Sequence, residues 1–254
     1  MEFNSVIQAF SDVASWGEIS KPRDLLIKEI PFYSITVNQP FHSFTFRPRD
    51  NLAYIKKEFM WYLKGDPYDN SICDEASIWK TIVQPDGRIF SNYGYYWFIR
   101  KDADGLTDFD RVVKTLIEDP DSRRAYIPML GHEHMFADNK DVVCTKGITF
   151  RIVQGELIMH ADMRSSDLAI GSSIDWPCFW WLHEMMSHEL GVPKGQFIFS
   201  TDSLHVYENY WPYMNEVAAC EGDGFLEVEY PPITDVHDLL SLTFKSDFGK
   251  WLKS

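Results

Sequence analysis

Positive charge is scarce in this chain: 24 Lys and Arg face 38 Asp and Glu, for a net charge of −14. General binding along nucleic acid needs a basic footprint, so this charge balance argues against that class of function. A phosphorylated substrate must then be held by a local group of arginines against an unfavourable global field, and each arginine's position becomes informative. Cysteine is sparse too. Cys73, Cys144, Cys178 and Cys220 stand at irregular spacings with no Cys-x-x-Cys pair, the pattern of reduced thiols rather than of a disulfide framework. No apolar run approaches the roughly 18 residues that cross a bilayer, and a basic-then-apolar leader is missing, so a cytoplasmic protein is expected. Repeats, low-complexity segments and linkers are absent. Of the 254 residues 45% are apolar and 15% aromatic, which predicts one α/β domain over 1–254 around a substantial core.

Periodicity places the elements. Val6, Ala9, Phe10, Val13 and Trp16 recur as a helix face that ends at Gly17. Residues 25–37 read as a strand, 52–63 as a helix closed by Gly65, and Asp108–Glu118 as a helix stopped by Asp119-Pro120. Two strand-like runs, 148–153 and 157–163, flank Gln154-Gly155-Glu156 and predict a hairpin. A helix with Asp175 near its start runs to Leu190, with Gly191 as its C-terminal cap. Residues 196–200 and 226–230 read as further strands.

Several residues carry potential chemistry, each with a plainer alternative. A lone cysteine such as Cys144 is by default a buried apolar thiol, yet a thiolate adds readily to an electron-poor double bond when cations lower its pKa. Asp121-Ser122-Arg123-Arg124 reads by itself as a solvated, turn-forming charge run. Glu58 lies in a largely apolar helix, where a carboxylate is costly unless hydrogen-bonded and trivial if it faces water. Asp175, before Trp176-Pro177, has the plain reading of a helix N-cap. His183 and His188 are spaced i, i+5, whereas a zincin helix needs i, i+4, so no metal site is expected. Asp102-Ala103-Asp104-Gly105 lacks the register of a calcium loop and reads as an acidic turn.

Taken together, Cys144, Arg164-Ser165-Ser166-Asp167, Asp175 and Ser203-Leu204-His205-Val206-Tyr207 resemble the thymidylate synthase superfamily, and within it the phage deoxycytidylate hydroxymethylases. The resemblance implies an α/β fold with a large mixed sheet flanked by helices, and a homodimer made by sheet-to-sheet packing. It implies that Cys144 is a nucleophile towards pyrimidine C6. Arg164, beside Ser165, would contact both the phosphate and the sulfur, with Arg23 completing the phosphate cluster. Arg123 and Arg124 would cross the dimer interface to the neighbouring subunit's phosphate. Glu58 matches a Glu-x-x-Trp-x-x-x-Gly-Asp helix, and its implied task is to organise water and move protons near C4 and C5. Tyr93, in Ser91-Asn92-Tyr93-Gly94, would assist proton transfer at C5. His205 and Tyr207 would bind the sugar 3′-hydroxyl, while Asp167 and Trp79 would contact the folate co-substrate, 5,10-methylenetetrahydrofolate. Three departures stand out: Lys21-Pro22-Arg23-Asp24 replaces a glycine-rich loop, Ser203 replaces an Asp, and Thr145 replaces the His after the nucleophile.

Asp175 stands where the family normally places a base-reading Asn. Uracil offers an N3–H donor and an O4 acceptor; cytosine offers an N3 acceptor and a 4-amino donor. A carboxyl group accepts from the amino group, and a proton on Asp175 or on N3 completes a second bond, so dCMP is the expected substrate. The C-terminal stretch from Asp247 to Ser254 departs from the short apolar tail of thymidylate synthases. With Thr145, that departure favours water over hydride as the final acceptor and hence a hydroxymethyl product. A dCMP methyltransferase, a CMP-specific version, a dUMP enzyme and a non-catalytic nucleotide- or RNA-binding relative remain as alternatives.

Overall fold

A computed structural model describes residues 4–44, 51–220 and 224–254. The strands are β1 (Glu18–Ser20), β2 (Ile27–Val37), β3 (Tyr126–Pro128), β4 (Thr145–Val153), β5 (Glu156–Met163), β6 (Ser166–Asp167) and β7 (Lys194–Tyr207). The helices are α1 (Ser5–Trp16), α2 (Leu52–Lys64), α3 (Ile72–Glu75), α4 (Ile78–Ile82), α5 (Asp108–Glu118), α6 (Ser172–Leu190), α7 (Trp211–Ala218), α8 (Val236–Leu240) and α9 (Asp247–Lys253).

The strands form one mixed sheet in the order β1-β2-β7-β5-β4-β3, with β6 added alongside β7. Only the β5–β7 and β6–β7 pairs are parallel. The expected hairpin is present, with β4 and β5 paired from Thr145–Met163 to Val153–Glu156 and a register shift between Thr145 and Gly147. Alternation along β5 and β7 sends Leu157, Met159, Ala161, Met163, Phe197 and Phe199 into the core. Their opposite neighbours stay half-buried on the outer face, among them Ile158, His160, Ile198 and Ser200.

The helix predictions hold where one face is apolar. α1 buries Val6, Ala9, Phe10 and Val13, and its start is capped by the Asn4 side chain, which accepts from the Val6 and Ile7 N–H groups. Trp16 departs from that face and lies 77% exposed. α2 ends at Gly65, whose φ of 60° is the left-handed conformation a non-glycine residue adopts only at a cost. α6 is different: Trp176, Phe179, Trp181, Leu182, Met185 and Met186 are all buried, as in a central helix covered all round.

Three expectations need correction. Residues 226–230 form no strand; among the described residues the pairing here is the single Phe225–Phe44 bridge, and Pro231-Pro232 beyond supplies no N–H donors for a ladder. Tyr230 instead gives its hydroxyl to Glu184 at 3.0 Å. The strand expected at 196–200 spans Lys194–Tyr207, so His205 and Tyr207 are strand residues. Finally, α6 begins at Ser172 rather than at Asp175, which sits inside the first turn and is no N-cap. The Asp167 carboxylate accepts from the Ala169 and Ile170 N–H groups and turns the chain early.

Candidate active site

Cys144 immediately precedes β4 and meets Arg164 at the end of β5. The Arg164 N–H donates to the Cys144 carbonyl at 2.8 Å, and its guanidinium donates from Nε to the Val143 carbonyl at 3.1 Å and from Nη2 to the Val142 carbonyl. Those bonds lock the guanidinium with Nη2 at 3.5 Å from the Cys144 sulfur. Burial pushes the thiol up, Arg164 pulls it down, Asp175 and Asp141 push it up again, and Arg23 pulls it down. Burial outweighs the rest and the thiol lies above its ordinary range, with Arg164 and Arg23 the groups that favour thiolate.

Tyr93 lies between two rings, stacked on Tyr62 at 5.2 Å and on Phe179 at 6.0 Å. Gly94 makes this possible, because a Cβ there would stand 1.6 Å from the Tyr62 carbonyl oxygen. Tyr62 in turn donates its hydroxyl to Glu58 Oε1 at 2.5 Å, while Glu58 Oε2 is buried with no hydrogen-bond partner. Trp79 Nε1 donates to the Tyr54 hydroxyl at 2.7 Å. Burial lifts the Glu58 carboxyl above its usual range, and the Tyr54 and Tyr62 hydroxyls pull it back. The solvated reading of Glu58 is thus excluded, since the residue is 3% exposed. Tyr54 and Tyr62 escaped notice in the sequence, although their spacing of four on either side of Glu58 puts all three on one helix face.

Asp175 joins this group from α6. Burial, then Glu58, then Asp167 hold its carboxyl well above the usual carboxylate range. When ionised it pushes up both the Cys144 thiol and the Tyr93 hydroxyl, which places it with them in the site. Asp167 faces His205 across the parallel β6–β7 ladder, and the Leu168 N–H donates to the His205 carbonyl at 2.8 Å. The His205 and Tyr207 rings meet edge to face at 5.2 Å. Ser165 is half-buried beside Arg164, and Trp79 packs on Trp61 at 5.1 Å.

The arginines divide. Arg23 is exposed in a tight turn with φ 52°, and its charge acts on Cys144 and His205, which places it with the site. Arg123 and Arg124 are exposed between α5 and β3, and among the described residues neither side chain meets this cluster. Among the described residues no group of three His, Cys, Asp or Glu could hold a metal ion, and His183 gives Nε2 to contact with the Leu157 carbonyl at 2.8 Å. No helix of the described residues is long and apolar enough to cross a membrane.

The Asp167 carboxyl is pushed up to about 6 by burial, against the Ala169 and Ile170 N–H bonds, from 3.8 when free. An acid raised on folding makes the folded state bind more protons, so stability falls as pH climbs between those two values and stays low above them. Asp167→Asn keeps the oxygen acceptor and removes the charge. Thermal unfolding should therefore show it about 1–2 kcal/mol more stable above about pH 6, after allowance for partial exposure, and no more stable near pH 4. A gain that is the same at both pH values would mean that the charge is not what strains the site.

A family model described as "Thymidylate synthase" matches residues 32–245. The deoxycytidylate 5-hydroxymethyltransferases of Enterobacteria phage T4 and of Enterobacteria phage T2 are each 27% identical over 173 residues, covering 63% of this chain and 69% of theirs. Among solved structures, the thermostable thymidylate synthase A from Bacillus subtilis superposes with a TM-score of 0.72 at 19% identity, over 94% of this chain and 92% of that one. That likeness establishes the fold, and the match across most of the length establishes descent: this chain belongs to the thymidylate synthase family.

Proposed function

We propose that the protein transfers a one-carbon unit from 5,10-methylenetetrahydrofolate to C5 of dCMP, with water completing the reaction to give 5-hydroxymethyl-dCMP and tetrahydrofolate. The observation that carries the reading is the buried Asp175 carboxyl, electrostatically coupled to the Cys144 thiol. Cys144 adds to C6, which turns C5 into a carbon nucleophile. Arg164, fixed by three backbone carbonyl and sulfur contacts, stabilises the thiolate and, with Arg23, meets the phosphate. Asp175 lends its proton to cytosine N3 and accepts from the 4-amino group. Glu58, with one carboxylate oxygen unpartnered, holds water at the C4–C5 edge, and Tyr93 moves the proton lost from C5.

Asp167 and Trp79 line the folate side of this reading, and the unpaired half of the Asp167 carboxylate fits a polar heterocycle edge. Folate supplies the carbon at the methylene oxidation level. His205 and Tyr207 take the sugar. The protein acts as a homodimer through the outer face of the sheet, and Arg123 and Arg124, absent from their own cluster, reach the partner's phosphate. Polar groups on that sheet face already satisfy one another: Lys146 bridges Asp162 at 2.9 Å and Asp202 at 2.8 Å, and Ser200 joins His160 to Ser34. Water rather than hydride as acceptor is supported by α9, whose Phe248 is buried against Trp181 and Tyr230.

The test is tritium release from dCMP and dUMP labelled at C5, with the folate present, followed by mass analysis of the product. Release from dCMP with gain of CH2O is expected. Gain of CH2 with dihydrofolate would make the protein a methyltransferase, and release from dUMP alone would overturn the cytosine assignment.

A further inference from the structure

The Glu29 carboxylate, which the reaction above does not use, stands directly beside His205. The two residues are facing partners in the antiparallel β2–β7 ladder. Both Glu29 oxygens are taken by serine hydroxyls: Ser20 Oγ on β1 donates to Oε1 at 2.6 Å, and Ser203 Oγ on β7 donates to Oε2 at 2.6 Å. The Ser20 bond, then the Ser203 bond, hold this carboxyl below its usual range in spite of burial.

Proton bookkeeping then fixes the next residue. An ionised carboxylate only accepts, so the Ser203 hydroxyl proton is committed to Glu29. Its oxygen offers lone pairs to its other neighbour, His205 Nδ1, at 3.4 Å. The Ser203 carbonyl oxygen lies 3.4 Å from the same nitrogen. Nδ1 thus faces two acceptors and must carry the hydrogen. Burial lowers the His205 pKa, which favours the neutral ring, and in a neutral ring with its hydrogen on Nδ1 the acceptor is Nε2.

We propose that Glu29, acting through Ser203, is a positioning residue that fixes His205 as its Nδ1–H tautomer, so that Nε2 accepts a hydrogen bond from the substrate's sugar 3′-hydroxyl. The inference rests on the nucleotide reading of the site. It makes the free 3′-hydroxyl a required donor, so a nucleotide that lacks it loses this contact. The same carboxylate explains how Ser203 can stand where the family has an Asp: the negative charge comes from the neighbouring strand instead.

The experiment is a two-bond proton–nitrogen NMR correlation on the full-length protein with labelled histidine, at a pH where His205 is neutral. The His205 signals are identified by their loss in His205→Gln. A protonated Nδ1 is expected; a protonated Nε2 overturns the proposal whatever the substrate is, and the tautomer itself is read on the wild-type protein. Glu29→Gln can donate to Ser203 and so free its hydroxyl to donate to Nδ1. That variant should shift the tautomer towards Nε2–H and raise KM for dCMP about tenfold with kcat within about twofold. For 2′,3′-dideoxycytidine monophosphate the affinities of wild type and variant should coincide. An equal loss for both nucleotides would mean general damage and defeat the positioning role. If wild type turns over no dCMP, the proposed function fails, and the tautomer still decides this inference.

Discussion

Cys144→Ala should lower product formation from dCMP by at least about 10⁴-fold while leaving dCMP binding within about threefold, because no other thiol can form the C6 adduct. Cys73 and Cys178 are buried in the core, and Cys220 lies after α7, outside the cluster around Arg164. Phosphate and sugar contacts do not involve the sulfur, so the loss falls on kcat. Equilibrium dialysis and single-turnover product analysis separate the two. The same variant tests the shared site. Mixed with Arg124→Ala, it should recover about a quarter of wild-type activity, since half the dimers are mixed and each carries one intact site. Substantial turnover by Cys144→Ala alone would remove Cys144 as the nucleophile, whereas dCMP binding without turnover by the wild type would point to the non-catalytic, nucleotide-binding alternative. Recovery failing on mixing, with each variant still dimeric, would place Arg124 outside the partner's phosphate site.

Local pattern made much of this fold legible before any coordinates. α1 and α5 were visible because one apolar stripe faces a core, and β4–β5 because Gln154-Gly155 can turn with positive φ, 53° and 82°. What failed depended on partners distant in sequence. Residues 226–230 look like a strand, but among the described residues the chain makes one backbone bond there, Leu226 N–H to the Ser43 carbonyl, and gives the Tyr230 hydroxyl to Glu184. Asp175 lies near the start of α6 as expected, but its N-cap reading fails because the turn that starts the helix lies upstream, where Asp167 accepts from Ala169 and Ile170. In the site, residue identities were readable but environments were not. Glu58 was equally compatible with water or with burial until the fold put Tyr62 on its Oε1. The link between Glu29 and His205 needs β2 and β7 to be neighbours in a specific register, which no short motif encodes.

Asp175→Asn should swing the ratio of kcat/KM for dCMP over dUMP by about 10²-fold or more towards dUMP, mainly through kcat for dCMP. Hydrogen-bond counting alone does not give that result, because a neutral carboxyl and an amide each present one donor and one acceptor. The difference lies in where charge goes when Cys144 adds. With cytosine it develops on N3, a nitrogen basic enough to take the Asp175 proton; the resulting carboxylate then accepts from both N3–H and the 4-amino group in charge-assisted bonds. The fold favours that proton, since burial and the neighbouring Glu58 and Asp167 raise the Asp175 carboxyl above its ordinary range. An Asn amide has no proton to surrender, so general acid catalysis at N3 is lost. With uracil the charge develops on O4, N3 already carries hydrogen, and an amide N–H is the matching donor. Steady-state kinetics with both nucleotides measure the swing. If the variant kept the wild-type preference for dCMP, base selection would have to come from another residue, with Glu58 at the C4 edge the first to examine.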